Sequence, residues 1–227
     1  MKIDTGKDDY HWAAEFERRT AAALVQRRGD DAPFDSTPKM RGGHRLWGYD
    51  ACMNDETLDI LNRAAPFLLP LRGYRILDIG CGYGRSAPFL SMFDCKQYVG
   101  VDSALARVQY ARNRYAADIN SFRCGDARTW RGSEPFDVVW CSTVIQHLPR
   151  PDKLAVINTI KANLKPTGFA LLWEGRILAI VDPEKYYTSE KCPAHMVPIS
   201  RAEVTEAFLP WEFAHVDAEL HKAGPKG

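Results

Sequence analysis

The sequence predicts an α/β fold: a doubly wound, mostly parallel sheet with helices on its faces. Three observations carry this. Between residues 74 and 173, short apolar runs alternate with helical patterns, and such alternation implies parallel βαβ crossovers. A turn with glycines at alternate positions, Gly80-Cys81-Gly82-Tyr83-Gly84, follows the first apolar run and opens onto a helix-compatible segment. The 227 residues are 45% hydrophobic, enough for one sizeable core with additions.

The elements follow in order. Residues 8–28 read as a helix that Asp8 or Asp9 can cap, with Trp12 and Phe16 one turn apart, Leu24 further along and Gly29 after the end. Residues 29–50 are rich in Gly, Pro, Asp and Ser and read as a loop, although they hold Met40, Leu46, Trp47 and Tyr49. Asn54 can cap a helix over 55–65, where Leu58, Leu61 and Ala65 share a face. Strands are expected at 74–79, 97–101, 119–124, 136–141 and 168–173, with helices near 84–93, 103–117 and 152–164. Ser200 and Glu203 resemble a capping box that starts a helix to about 209. Residues 211–220 alternate apolar and polar and read as a late edge strand. The chain thus divides into an N-terminal helical and loop segment, 1–70, and a core, 71–227.

Composition narrows the function. The formal net charge is +1, which gives no electrostatic case for nucleic acid or an acidic membrane as partner. No apolar run is long enough to span a bilayer. Cysteines stand at 52, 81, 95, 124, 141 and 192 without a C-x-x-C pair. Reduced thiols in a cytoplasmic protein are expected, rather than a disulfide framework or a zinc site, and no metal-spaced ligand cluster is seen. The first nine residues are polar and acidic, unlike a signal or transit peptide.

The glycine turn carries the chemistry. A dinucleotide fingerprint needs G-x-G-x-x-G, whereas this chain has G-x-G-x-G with Asp78 two residues before the first glycine. A carboxylate there would repel a pyrophosphate but suits a ligand with an ammonium group. S-adenosylmethionine has one, beside a sulfonium. Asp102 ends the second strand about twenty residues beyond the turn, where an acid can accept both ribose hydroxyls of an adenosine. The alternative is Asp102 or Ser103 as an ordinary helix cap, and the two roles are compatible.

The run Arg75 to Arg85 resembles motif I of the class I S-adenosylmethionine-dependent methyltransferases. The resemblance covers roughly residues 70–175. It includes Gly125-Asp126-Ala127 after the third strand, Phe136 to Ser142 on the fourth, Thr143 to Leu148 beyond it, and Asn163 to Gly168 leading into Phe169 to Glu174. It implies a Rossmann-like, seven-stranded-type sheet with an N-terminal helical lid, and S-adenosylmethionine as cofactor without a metal. The implied cofactor contacts are Asp78, Gly80, Cys81, Gly82, Arg85, Asp102, Ser103, Asp126, Ala127 and Ser142. Asp126 would reach the adenine amino group, the next backbone N–H would reach the ring, and Ser142 would lie near the methionine part. The chain departs from the family in having Thr167-Gly168 where two glycines are frequent, and only one late strand where the fold closes with two.

Methyl transfer is an in-line displacement that needs alignment, water exclusion and, for some acceptors, a base. His147 is the candidate base, because it follows the fourth strand and the ordinary range of an imidazole suits proton removal near neutrality. The other reading makes it a structural histidine. Glu174, at the tip of the fifth strand, is the second candidate, for proton acceptance or amine binding; the alternative is a solvated turn residue. The acceptor is expected under a lid built from 8–50 and 175–200, which hold His11, His44, Trp47, Tyr49, Tyr186, Tyr187, His195 and Met196. The leading reading is transfer to an oxygen or nitrogen of a small molecule by a monomer or homodimer. A protein or peptide amine methyltransferase is the runner-up, supported by Val144 to Leu148 and Gly42-Gly43. A catalytically silent cofactor-binding scaffold is the third reading, and a nicotinamide dehydrogenase the weakest.

Overall fold

The computed structural model describes residues 40–41, 44–45, 55–91, 94–148, 150–174 and 201–210. Five strands form one parallel sheet: β3 (Tyr74–Ile79), β4 (Cys95–Asp102), β5 (Asn120–Cys124), β6 (Phe136–Ser142) and β7 (Leu164–Trp173). Their order is β5-β4-β3-β6-β7. The chain therefore builds outward from β3 to one side, then returns to build the other, so β3 stands at the switch point. In open α/β sheets the ligand crevice lies there, outside the carboxyl ends of the strands.

Helices cover both faces. On one face Ile76, Tyr98, Phe122, Val138 and Trp140 pack with Ile60, Ala64 and Leu68 of α1 (Asp55–Leu68), Leu90 of α2 (Ala87–Leu90), and Val108 and Ala111 of α3 (Leu105–Tyr115). On the other, Leu77, Val99, Val101 and Val139 pack with Val156, Ile157 and Ile160 of α4 (Arg150–Asn163) and Phe208 of α5 (Arg201–Phe208). Two-sided burial explains why the strands read as near-continuous apolar runs. Among the described residues no helix is long and apolar enough to cross a membrane.

Three elements differ from the sequence expectation. Helix α2 spans four residues instead of 84–93; Gly84 (φ +78°) puts left-handed backbone at the start of the expected segment, and the helix begins after Ser86. Strand β7 begins at Leu164, not 168. Leu164 pairs with Phe136, and the next partners are Phe169 and Val138, so Lys165-Pro166-Thr167-Gly168 bulges out opposite Asp137. Pro166 has no N–H for a ladder and is tolerated in a bulge. At Gly168 a Cβ would lie 2.9 Å from the Asp137 carbonyl oxygen, so only glycine admits this close approach. Within the segment read as a loop, β1 (Met40–Arg41) and β2 (His44–Arg45) form a short antiparallel ladder.

Residues 125–135 link β5 to β6 without a helix and are fastened to α4 instead. Asn163 Nδ2 donates to the Trp130 carbonyl at 3.1 Å, the Gly132 N–H donates to Asn163 Oδ1 at 2.9 Å, and Thr159 Oγ1 donates to the Arg128 carbonyl at 2.7 Å. The expected helix at 8–28, the Trp47 and Tyr49 lid, the insertion 175–200, the strand at 211–220 and the caps Asn54 and Ser200 lie outside the described residues.

Candidate active site

The glycine turn leaves β3 with positive φ at Gly80 (+74°), Gly82 (+55°) and Gly84 (+78°). The three glycines have different surroundings. A Cβ on Gly80 would run into the Val144 side chain, and one on Gly84 would lie 2.9 Å from Phe122 and 3.0 Å from Ala111. A Cβ on Gly82 would meet nothing within 4 Å. The outer glycines therefore allow close packing, whereas Gly82 faces open space that a ligand can approach.

Two of the predicted acids are tied to this turn. Asp102 accepts the Gly82 N–H through Oδ2 and the Ala104 N–H through Oδ1, each at 2.9 Å. The second bond is a local turn two residues long before α3, whose N-cap is Ala104 rather than the expected Asp102 or Ser103; the first clasps the turn to the end of β4. Asp78 is 2% exposed and accepts the Tyr98 hydroxyl at 2.6 Å. Burial pushes its carboxyl up to about 7, against the opposing pull of the Tyr98 hydrogen bond and the Arg85 charge, while the Asp102 charge adds to the rise. Cys81 is buried beside these two acids, and burial holds its thiol well above the usual range. Arg85 lies in the turn leading to α2.

Asp126 is held by a residue the sequence reading did not single out. Arg128 donates to both carboxylate oxygens at 2.6–3.0 Å, and its backbone N–H adds a bond to Oδ1 at 2.8 Å. The guanidinium also reaches Asp152 of α4 at 3.0 Å. These hydrogen bonds hold Asp126 below the usual carboxylate range. Asp-Ala-Arg after a strand was the available signal, because an arginine two residues after an acid in a turn can fold back on it. Ala127 is buried in the core on the α4 face.

Glu174 is not a solvated turn residue. It is part-buried and accepts the N–H groups of Val144 and Ile145 through Oε1, both at 3.1 Å, and of Gln146 through Oε2 at 3.0 Å. These are the residues leading into the 3₁₀ turn Ile145–His147. Burial pushes the Glu174 carboxyl up to about 7, although the three N–H groups pull it down. Thr143, just before, has φ +58°, a costly conformation for a β-branched residue. Its N–H donates to the Trp173 carbonyl at 2.7 Å. His147 is the last residue of the turn; its side chain lies outside the described residues.

The residues fit a polar ligand at this edge. The hydroxyl oxygens of Ser103 and Ser142 are buried and have no hydrogen-bond partner among the described residues. They follow or end β4 and β6, the strands that flank β3. Buried polar atoms are almost always paired, so these two orphans at the carboxyl ends of the strands flanking β3 mark a place where a ligand can supply the partners; Asn120 Oδ1 and Trp140 Nε1 are also buried without a partner among the described residues. Among the described residues no group of three or more His, Cys, Asp or Glu is arranged to hold a metal ion.

Comparison with known proteins agrees with this geometry. The family described as "Methyltransferase domain" matches residues 76–168. The 27-O-demethylrifamycin SV methyltransferase of Amycolatopsis mediterranei is 31% identical over 166 residues, covering 69% of this chain and 59% of the relative. The ubiquinone biosynthesis O-methyltransferase of Rhodopseudomonas palustris strain BisB5 is 32% identical over 164 residues, covering 66% and 62%. The matches thus span about three-fifths of the length of these curated relatives. The YcgJ protein of Bacillus subtilis superposes with a TM-score of 0.53 at 19% identity, covering 66% of each chain, which shows the fold. Residues 76–168 thus match a methyltransferase domain, with its glycine turn at the switch point of a β5-β4-β3-β6-β7 sheet, and this region is similar to the class I S-adenosylmethionine-dependent methyltransferases.

Proposed function

We propose that this chain transfers a methyl group from S-adenosylmethionine to an oxygen of a small organic acceptor. The observation that carries the reading is the open Gly82 turn, flanked by a buried carboxylate and by two strand-end hydroxyls that lack partners. Oxygen is favoured over nitrogen because the names of both relatives specify an O-linked methyl.

When bound, the cofactor supplies an electrophilic methyl group on a sulfonium. The chain's own residues orient and neutralise. Asp78 would face the ammonium, which favours its ionised form. Asp102 would accept the ribose hydroxyls while keeping its grip on the Gly82 N–H. Asp126 would take the adenine amino group, with the Ala127 N–H at the ring. Ser142 would bond the methionine portion, and Ser103 would bond beside the ribose. His147 would take the proton from the acceptor hydroxyl.

Titration calorimetry with S-adenosylhomocysteine, followed by labelled-cofactor turnover against phenols, alcohols, carboxylates, amines and peptides, tests this. Binding with turnover of a hydroxylated small molecule is expected. Peptide turnover would favour the amine-methylating alternative, and binding without any turnover would favour the silent scaffold. No binding would overturn the reading.

A further inference from the structure

Resting on that reading, we propose that Glu174 is a positioning residue that couples the turn carrying His147 to the glycine turn of the cofactor site, acting through Val144. Three consecutive backbone N–H groups, those of Val144, Ile145 and Gln146, converge on its carboxylate at 3.0–3.1 Å. The Cys141 thiol on the neighbouring strand adds a longer contact to Oε1 at 3.8 Å. A carboxylate gathering consecutive N–H groups is the side-chain counterpart of a backbone anion nest.

The second half of the link is steric. The Val144 side chain lies against Gly80 so closely that no Cβ fits on that glycine. Glu174 thus fixes the Val144 backbone, and the Val144 side chain in turn limits where Gly80 can sit. Gly80 is itself anchored from the other side, since its N–H and that of Cys81 donate to the Val101 carbonyl at 2.7 and 3.0 Å. The first glycine of the turn is therefore held between β4 and the 3₁₀ segment.

The constraint has a conformational cause. Thr143 at φ +58° leaves β6 by a sharp, unfavourable bend. Two interactions at the end of β7 hold the bend in place: the Thr143 N–H to the Trp173 carbonyl at 2.7 Å, and the Glu174 carboxylate on the three following N–H groups. Without the carboxylate, three part-buried backbone donors would lose their acceptor. With both oxygens of Glu174 engaged by the protein's own N–H groups, orienting the turn is a better use of this side chain than collecting a proton from the acceptor.

A double-mutant cycle with Glu174→Gln and Val144→Ala tests the coupling, read as S-adenosylhomocysteine affinity by calorimetry. Glutamine keeps one acceptor oxygen but places an amide donor against the remaining N–H. Affinity should fall about tenfold, the size of a lost charge-assisted hydrogen bond. If both residues act through one contact, the double variant should lose clearly less than the product of the two single losses. Hydrogen exchange of the Val144, Ile145 and Gln146 amides should quicken in Glu174→Gln, which reports the loosened turn independently of binding. Additive losses, or unchanged affinity together with unchanged exchange, would overturn the proposal. Failure of the wild-type chain to bind S-adenosylhomocysteine would instead overturn the functional reading, and the coupling with it.

Discussion

The Tyr98 hydroxyl donates to Asp78 Oδ2 at 2.6 Å, with both residues buried on the α1 face of the sheet or at its edge. The pair comes from adjacent strands, β3 and β4, and stands two residues before the glycine turn. It presents a carboxylate that is expensive to ionise until a cation arrives. Its pKa is raised from 3.8 to about 7, mainly by burial, so the folded chain holds a proton that the unfolded chain releases at lower pH. The stability this contributes is complete below the unfolded value and is lost as pH rises through about 7. Asp78→Asn should therefore flatten the loss of Tm between pH 4 and pH 7, and at pH 8 melt no lower than the wild type without cofactor. The same variant should bind S-adenosylmethionine at least tenfold more weakly, having lost the charge opposite the ammonium. Thermal unfolding across pH and a parallel titration check both halves; equal pH slopes in the two proteins would refute the raised pKa.

Gly80→Ala and Gly82→Ala should separate folding from ligand binding. Both positions have positive φ, at +74° and +55°, so each alanine costs about 1 kcal/mol in backbone strain. Gly80→Ala also drives its Cβ into Val144, and overpacking adds about 1–3 kcal/mol. Gly82→Ala meets no protein atom within 4 Å, so it should fold with only the smaller loss. Its methyl group would occupy the space open to the cofactor, and affinity should drop steeply. Denaturant unfolding and calorimetry on the pair should give opposite rankings. A Gly82→Ala protein that binds normally would place the ligand elsewhere.

His147→Ala should lower turnover by about 10²–10⁴-fold if the side chain is the base, while leaving S-adenosylhomocysteine affinity within about twofold, because His147 is not among the implied cofactor contacts. The turn itself should persist, since Glu174 holds the N–H groups of residues 144–146 and none of His147. Steady-state kinetics with a turned-over acceptor distinguishes the roles. Unchanged turnover would make the histidine structural.

The sheet was legible because two-sided burial writes each parallel strand as an apolar run, and the glycine spacing marked the turn that leaves β3 at the switch point. Less legible was anything set by a long-range partner. Nothing local in Tyr98 announces that its hydroxyl will cap Asp78, twenty positions away. Nor does Glu174 reveal that it will collect N–H groups from residues 144–146, about thirty positions back. The β7 bulge was missed because Lys165-Pro166-Thr167-Gly168 carries turn residues, whose usual meaning is a strand boundary. Here the ladder starts at Leu164 and resumes at Phe169 after the interruption.

Arg128 has two acidic partners, one in the candidate site and one on α4. It grips Asp126 and ties the loop after β5 to Asp152 of α4. Arg128 is 38% exposed, and Asp126 and Asp152 are 33% and 24% exposed, so solvent screening leaves each ion pair worth only about 0–1 kcal/mol to folding. Arg128→Gln should accordingly melt close to the wild type. Cofactor affinity should respond more, since Asp126 would lose the bonds that fix its orientation and would no longer be held below the usual carboxylate range. A loss of about three- to tenfold is expected, the range of one hydrogen bond. The inosine analogue of S-adenosylhomocysteine, which carries a carbonyl oxygen in place of the amino group, gives the sharper readout. The wild type should reject it, because an ionised Asp126 would face an acceptor. Arg128→Gln should discriminate less between the two nucleosides, and equal discrimination by both proteins would confine Arg128 to fastening the loop.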